Sequence, residues 1–175
     1  MQAGKSARHH YAYTKNGAAC VLAAIEPLTG KRLAHVRRKR GYQSFTRFMQ
    51  QLEQLYAQAK RIRLVLDNLN IHHFAAFYAC LPADQAQALA QRFEFCYTPK
   101  GASWLNMIEI EFSALSRQCL NRRIPTINQL ATQVLTYFKQ RNDQQIKINW
   151  QFNISDARLK FQRHYAKVNP LNLKY

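Results

Sequence analysis

One short run constrains this chain more than any other. Residues 61–66 read Arg-Ile-Arg-Leu-Val-Leu, with Ile62, Leu64 and Leu66 alternating and Val65 apolar on the other face. A strand apolar on both faces predicts a buried member of a parallel sheet, where crossover helices cover the faces. The run stops at Asp67-Asn68, which puts a carboxylate at the carboxyl end of the strand. Open α/β sheets hold their sites outside those ends. An Asp-Asn turn that merely terminates a strand has the same spelling, so position alone leaves both readings open.

The rest of the chain divides around this strand. Residues 1–8 read as a loose basic tail, and a single main domain covers residues 9–166. Asn16-Gly17 is a hairpin signal between residues 11–15 and the apolar run 18–25. Pro27-Leu28-Thr29-Gly30 turns the chain again into residues 32–37, which completes an antiparallel meander. Ser44 is the expected N-cap of a helix whose stripe is Phe45, Phe48, Met49, Leu52, Leu55, Tyr56 and Ala59. Residues 74–80 and 83–92 form short helical pieces broken at Pro82, and residues 93–97 a strand ended by Pro99 and Gly101. Leu105, Ile108, Phe112, Leu115 and Cys119 define another helical stripe. Thr126 with Gln129 makes a capping-box pattern before Ile127, Leu130, Val134, Leu135 and Phe138. Ser155 is the expected cap of a last helix to about residue 166, and residues 167–175 read as an extended tail. Strands that alternate with helices favour parallel pairing in the second half, hence a mixed α/β sheet flanked by helices.

Charge narrows the partners. The 175 residues hold 26 Lys and Arg against nine Asp and Glu, a formal net charge of +17. Such an imbalance fits a polyanionic partner, and nucleic acid is the common one. The longest apolar run has eight residues, 18–25, where a membrane helix needs about 20. The first ten residues are polar and basic, unlike a signal peptide, so a cytoplasmic protein without a membrane partner is expected. Cys20, Cys80, Cys96 and Cys119 lack Cys-x-x-Cys spacing and read as reduced, mostly buried thiols rather than disulfides or a zinc site. Arg37, Arg38, Lys39 and Arg40 form one basic run, Arg117, Arg122 and Arg123 a second, and Lys139, Arg141, Arg158, Lys160 and Arg163 a third. With so few acids to pair with, phosphate contact competes with plain solvation of these faces. Trp104 and Trp150 stand at element starts and read as core anchors before base-stacking platforms.

Glu109 and Glu111 flank the stripe that runs from Leu105 to Cys119 on opposite sides, at about 100° per residue. One should lean toward the sheet edge and the other toward solvent, periodicity does not say which, and two solvated flanking charges are the competing reading. A carboxylate here and another at Asp67 suit hard divalent cations, Mg²⁺ or Mn²⁺, and phosphodiester chemistry.

Several strings occur in a telling order. They are Asp67 to His72 (Asp-Asn-Leu-Asn-Ile-His), Thr98-Pro99-Lys100, Ser103-Trp104-Leu105-Asn106-Met107-Ile108-Glu109, Leu115 to Leu120, Arg122-Arg123-Ile124-Pro125, and Asn149-Trp150-Gln151-Phe152. Together they resemble the catalytic core of bacterial insertion-sequence transposases of the mariner-like superfamily, from about residue 10 to about residue 165. The resemblance implies an RNase H-like fold and DNA, as transposon ends and target, as partner. It implies that Asp67 and Glu109 are catalytic metal ligands and that Glu111 has no catalytic role. His72 occupies the family's His position and would orient the site or contact DNA. Lys100, between the site strand and the site helix, would meet a phosphate near the scissile bond.

The family uses three carboxylates, because two cations about 4 Å apart stabilise both the attacking and the leaving oxygen. The first of the three, an Asp on a central strand before the meander, has no counterpart in this sequence. Only Glu26 and Glu53 precede Asp67. Glu53 falls on an amphipathic helix, and Glu26 ends a strand at a Pro turn where the family carries a non-catalytic Glu-Pro. The resemblance therefore implies an amino-terminally truncated catalytic domain that lacks the first central strand and is inactive alone. A homodimer or association with an upstream fragment is the expected assembly. The alternative is a non-catalytic DNA-binding remnant or accessory protein of an insertion sequence.

Overall fold

In the computed structural model, which describes residues 17–168, β1 (Cys20–Ile25) and β2 (Arg32–Arg37) form an antiparallel ribbon. Val21 stands opposite Val36 and Ala23 opposite Ala34. Within the connecting turn, the Gly30 amide donates to the Glu26 carbonyl at 2.8 Å, and the Glu26 amide donates to Lys31 O at 2.8 Å. Gly30 has φ +80°, and a Cβ there would lie 2.7 Å from Ile146 O, so glycine is required. Alternation along the ribbon explains its apolar composition on both faces. Leu22, Ala24 and Leu33 pack into one core with α1 (Tyr42–Leu55). Val21, Ala23, Ala34 and Val36 pack into a second core, against α4 (Ile108–Gln118) and α5 (Ile127–Asp143).

β3 (Ile62–Leu66) pairs in parallel with β4 (Phe93–Tyr97), Leu64 opposite Phe95. The crossover carries α2 (Ala75–Tyr78) and α3 (Ala83–Gln91), separated by Pro82, which is the N-cap of α3. Phe45, Phe48, Met49 and Leu52 of α1 meet Phe77 and Leu89 in this core. Burial of each such side chain contributes about 1.5–3 kcal/mol. The ribbon is therefore a middle layer, with α1 on one side and α4 and α5 on the other.

The two strand pairs form two separate two-stranded sheets, where one mixed sheet was expected. β1 pairs only with β2 and β3 only with β4 among the described residues, and both strands border the same cavity. Val65, expected to be buried, is consequently 50% exposed and lines that cavity.

Two helix caps differ from expectation. α1 starts at Tyr42 after an extended Gly41, two residues before Ser44, whose Oγ instead donates to Lys39 O at 2.9 Å. α6 (Ile154–Val168) is capped by Asn153, whose Oδ1 accepts the Asp156 amide at 2.9 Å, and Ser155 donates to the same oxygen. The Thr126 cap is present, its Oγ1 accepting from the Gln129 amide at 3.2 Å. α1 ends at Leu55, so Ala59 lies beyond the helix, and Leu135 of α5 is 47% exposed despite its place in the stripe. Lys167, expected in an extended tail, belongs to α6. The expected tail at 1–8, the strand at 11–15 and residues 169–175 lie outside the described residues.

Candidate active site

The cavity between β1 and β3 has a volume of about 460 Å³. Its walls are all six residues of β1 and four of the five residues of β3, Arg63 to Leu66, with Phe45, Phe48 and Met49 of α1 also lining it. At one end it meets the loop after β3 and the start of α4. Two different chain segments therefore bring a carboxylate each to one largely apolar slot.

Asp67 arrives because β3 stops there, its last carbonyl (Leu66) accepting the Thr98 amide at 3.0 Å. The loop that follows curls back, the His72 amide donating to Leu69 O at 2.8 Å. This brings His72 Nδ1 to 2.6 Å from Asp67 Oδ1 and 3.3 Å from the Asp67 carbonyl. The imidazole is held at 5.0 Å from the Phe45 ring, and Tyr97 Oη donates to the His72 carbonyl at 2.6 Å. The Asp67 side chain stays 40% exposed, and its other oxygen has no hydrogen-bond partner among the described residues.

Glu109 arrives in the first turn of α4. Asn106 turns the chain into that helix, its Oδ1 accepting the Ile108 amide at 3.3 Å and its carbonyl the Glu109 amide at 3.0 Å. A carboxylate is favoured at a helix amino terminus by the partial positive charge there. The Glu109 side chain is exposed, lines the cavity and makes no hydrogen bond or ion pair among the described residues.

All nine carboxylic residues of the chain are placed, and only Asp67 and Glu109 line the cavity. Glu26 accepts from Tyr56 Oη at 3.1 Å, and Glu53 pairs with Arg92 at 3.5 Å. The Tyr56 hydroxyl is pushed up to about 12 by burial, helped by that bond to Glu26. Glu94 pairs with Arg63 at 3.1 Å, and Asp143 with Lys139 at 2.6 Å. Asp84 lies in the first turn of α3, and Asp156 meets the Asn153 amide at 3.5 Å.

Glu111 is the surprise of the set. It is fully buried, and each of its oxygens accepts from both Arg32 and Arg141. Burial alone pushes its carboxyl up, but the hydrogen bonds and charges of the two guanidinium groups outweigh that and hold it below the usual range. Arg32 also donates to Ile146 O at 2.7 Å and to Gly30 O. Arg141, expected among the phosphate-contacting residues, is thus committed to an internal pair. No local signal could have revealed this, since Arg32 and Glu111 are 79 positions apart.

The remaining basic candidates divide by location. Arg40 is exposed and lines the cavity that Asp67 and Glu109 also line, with Arg38 and Lys39 exposed next to it in sequence. Arg37 is half-buried, with Nη2 3.5 Å from His35 Nδ1. Lys100 is exposed in the loop before α4 and is not among the cavity-lining residues. Arg117 lies eight residues beyond Glu109, about 12 Å along the axis of α4. Arg122 and Arg123 are exposed past the end of that helix. Trp104 is an anchor: its ring stacks on Phe161 at 5.9 Å and meets Phe152 edge-on at 5.0 Å, with Lys160 Nζ 4.1 Å above it. Trp150 in turn meets Phe152 edge-on at 6.1 Å.

Carboxylate oxygens are the donors that Mg²⁺ and Mn²⁺ prefer, and Mg²⁺ sites commonly use one or two carboxylates plus substrate phosphates. Asp67 and Glu109 fit that pattern. No cluster of three metal-ligating side chains occurs among the described residues.

A parallel pair and an antiparallel ribbon under helices, with one carboxylate at a strand end and another at a helix start, define a mixed α/β domain compatible with the RNase H-like class of nucleases. The chain belongs to the DDE superfamily endonuclease family, whose profile matches residues 1–131. Comparison with curated proteins and with solved structures finds no significant match. Family membership implies a transposase-type nuclease domain with DNA as substrate, in a superfamily that generally uses divalent metal ions. No helix among the described residues is long and apolar enough to cross a membrane.

Proposed function

We propose that this chain is the catalytic part of an insertion-sequence transposase of the mariner-like kind, with Asp67 and Glu109 as its metal ligands. One observation carries the reading: of nine carboxylates, only these two line the cavity, and they come from the strand end and helix start that the sequence strings mark. When bound there, Mg²⁺ or Mn²⁺ would activate a nucleophilic oxygen and stabilise charge on the scissile phosphate. Asp67 holds one oxygen in the bond to His72 and presents the other. Glu109 presents an unpaired carboxylate across the same slot. Arg40 offers a cation for a phosphate at its edge. Water and then a 3′ hydroxyl are the proposed nucleophiles, for strand cleavage and strand transfer.

As a single polypeptide the chain is proposed to be inactive, because two carboxylates and not three meet in the cavity. A complementing chain that carries the missing Asp would complete the site. The same observation supports the second reading, a DNA-binding remnant that retains the basic surface without chemistry. Calorimetry with Mn²⁺ separates the two. Binding that is lost in both Asp67→Ala and Glu109→Ala supports a metal site, and absence of binding in the wild type supports the remnant. Inactivity has its own test, nicking of a duplex bearing the element's ends in Mg²⁺. Cleavage by the purified chain that disappears in Asp67→Ala would overturn it.

A further inference from the structure

Glu109 and Glu111 are two residues apart on α4, so at about 100° per residue their side chains leave the helix in nearly opposite directions. Whatever fixes one direction fixes the other. Glu111 is fixed from two elements at once. Arg32 at the start of β2 reaches it through Nε at 2.8 Å and Nη2 at 2.7 Å, and Arg141 on α5 through Nε at 3.0 Å and Nη2 at 2.9 Å. Both arginines are themselves braced. The Arg32 guanidinium also donates to Ile146 O at 2.7 Å and to Gly30 O. Its backbone is tied to Asn142, which accepts the Arg32 amide at 2.9 Å and donates to the Arg32 carbonyl at 3.0 Å. Arg141 lies over the Tyr137 ring at 5.5 Å. The apolar contacts of α4, through Ile108, Ala114 and Leu115, hold the helix down but are non-directional. Planar forks set an angle as well as a distance.

We propose that Glu111 is a positioning residue for Glu109: its two-arginine clamp sets the rotation of α4 that turns Glu109 into the cavity. The consequence for metal binding rests on the reading of Glu109 as a ligand. The consequence for the placement of Glu109 does not.

The test uses the whole chain and two measurements. Glu111→Gln is the first variant; Arg32→Lys, which keeps the charge and loses the fork, is the second should the first fail to fold. Leu89→Ala, which weakens the other core far from α4, is the stability-matched control. Carbodiimide labelling of Glu109, read by mass spectrometry without metal, reports its placement, and Mn²⁺ titration reports its use. Both clamp variants are expected to shift the labelling rate of Glu109 and to weaken Mn²⁺ binding about tenfold, as loss of outer-shell partners does. Leu89→Ala is expected to change neither. Labelling in the clamp variants that matches the control would overturn the proposal. A wild type that binds no Mn²⁺ would remove the metal reading, and the labelling would still decide the positioning role.

Discussion

His72 Nδ1 lies 2.6 Å from Asp67 Oδ1, five positions earlier, closing a short loop at the end of a parallel strand. The bond holds the carboxylate in one rotamer and directs the proton on Nδ1 toward it. Ligating carboxylates are commonly oriented by such partners, and their loss costs metal affinity. His72→Ala should therefore weaken Mn²⁺ binding by about tenfold while the chain stays folded. Calorimetry beside circular dichroism checks this, and unchanged affinity would reduce His72 to a loop brace.

The basic candidates should not act alike. Arg40 lines the same cavity as both carboxylates, whereas Arg37 is half-buried against His35. Arg40→Ala should lower affinity for duplex DNA at low salt and reduce the log–log salt slope by roughly 0.9, the value for one phosphate contact. Arg37→Ala should leave the slope unchanged. A salt series of binding isotherms for the three proteins tests both statements.

The buried clamp predicts a pH dependence. The Glu111 carboxyl is held below its ordinary value in the folded protein, so folding favours its ionised form. That contribution is fully present above the unfolded value, about 4.3, and is lost as pH falls through the lower folded value. Glu111→Gln leaves the buried Arg32 and the part-buried Arg141 without their anion and should cost about 3–5 kcal/mol near neutrality. The gap between variant and wild type should narrow as pH falls below about 4.3. Urea titrations at several pH values measure it, and a constant gap would contradict the assignment.

Gly30 joins the ribbon turn to the loop after α5. With φ at +80° and Ile146 O 2.7 Å from a notional Cβ, Gly30→Ala is strained twice over. A loss of about 1–3 kcal/mol is expected from the backbone conformation alone. Gly101→Ala is the informative comparison, because its φ is +77° but nothing lies within 4 Å of its Cβ. Denaturant unfolding of both variants should show the larger loss at Gly30.

Much of the local architecture was legible because its causes are local. The Pro82 break follows from a missing amide, and the Thr126 cap from a hydroxyl three residues ahead of an unpaired one. Ser44 and Ser155 were misread for the same reason: a good capping residue does not win when Gly41 or Asn153 starts the helix earlier. The parallel pairing of β3 was also foreseen, but the burial of Val65 was not. Burial depends on what lies across the strand, and here that is a cavity.

Within the described residues, the sequence by itself determined most of the strands and helices, the order of the strand pairs, and the two strings that carry Asp67 and Glu109, since each is encoded over a few neighbouring residues. Only the tertiary structure decided between the glutamates of α4. Periodicity placed Glu109 and Glu111 on opposite sides of one stripe. The choice was made by Arg32 and Arg141, contributed from 79 and 30 positions away, which bind Glu111 in the interior and leave Glu109 facing the slot with Asp67. A buried charge must be paired to be tolerated, and its partners are fixed by the fold rather than by neighbouring residues in the chain.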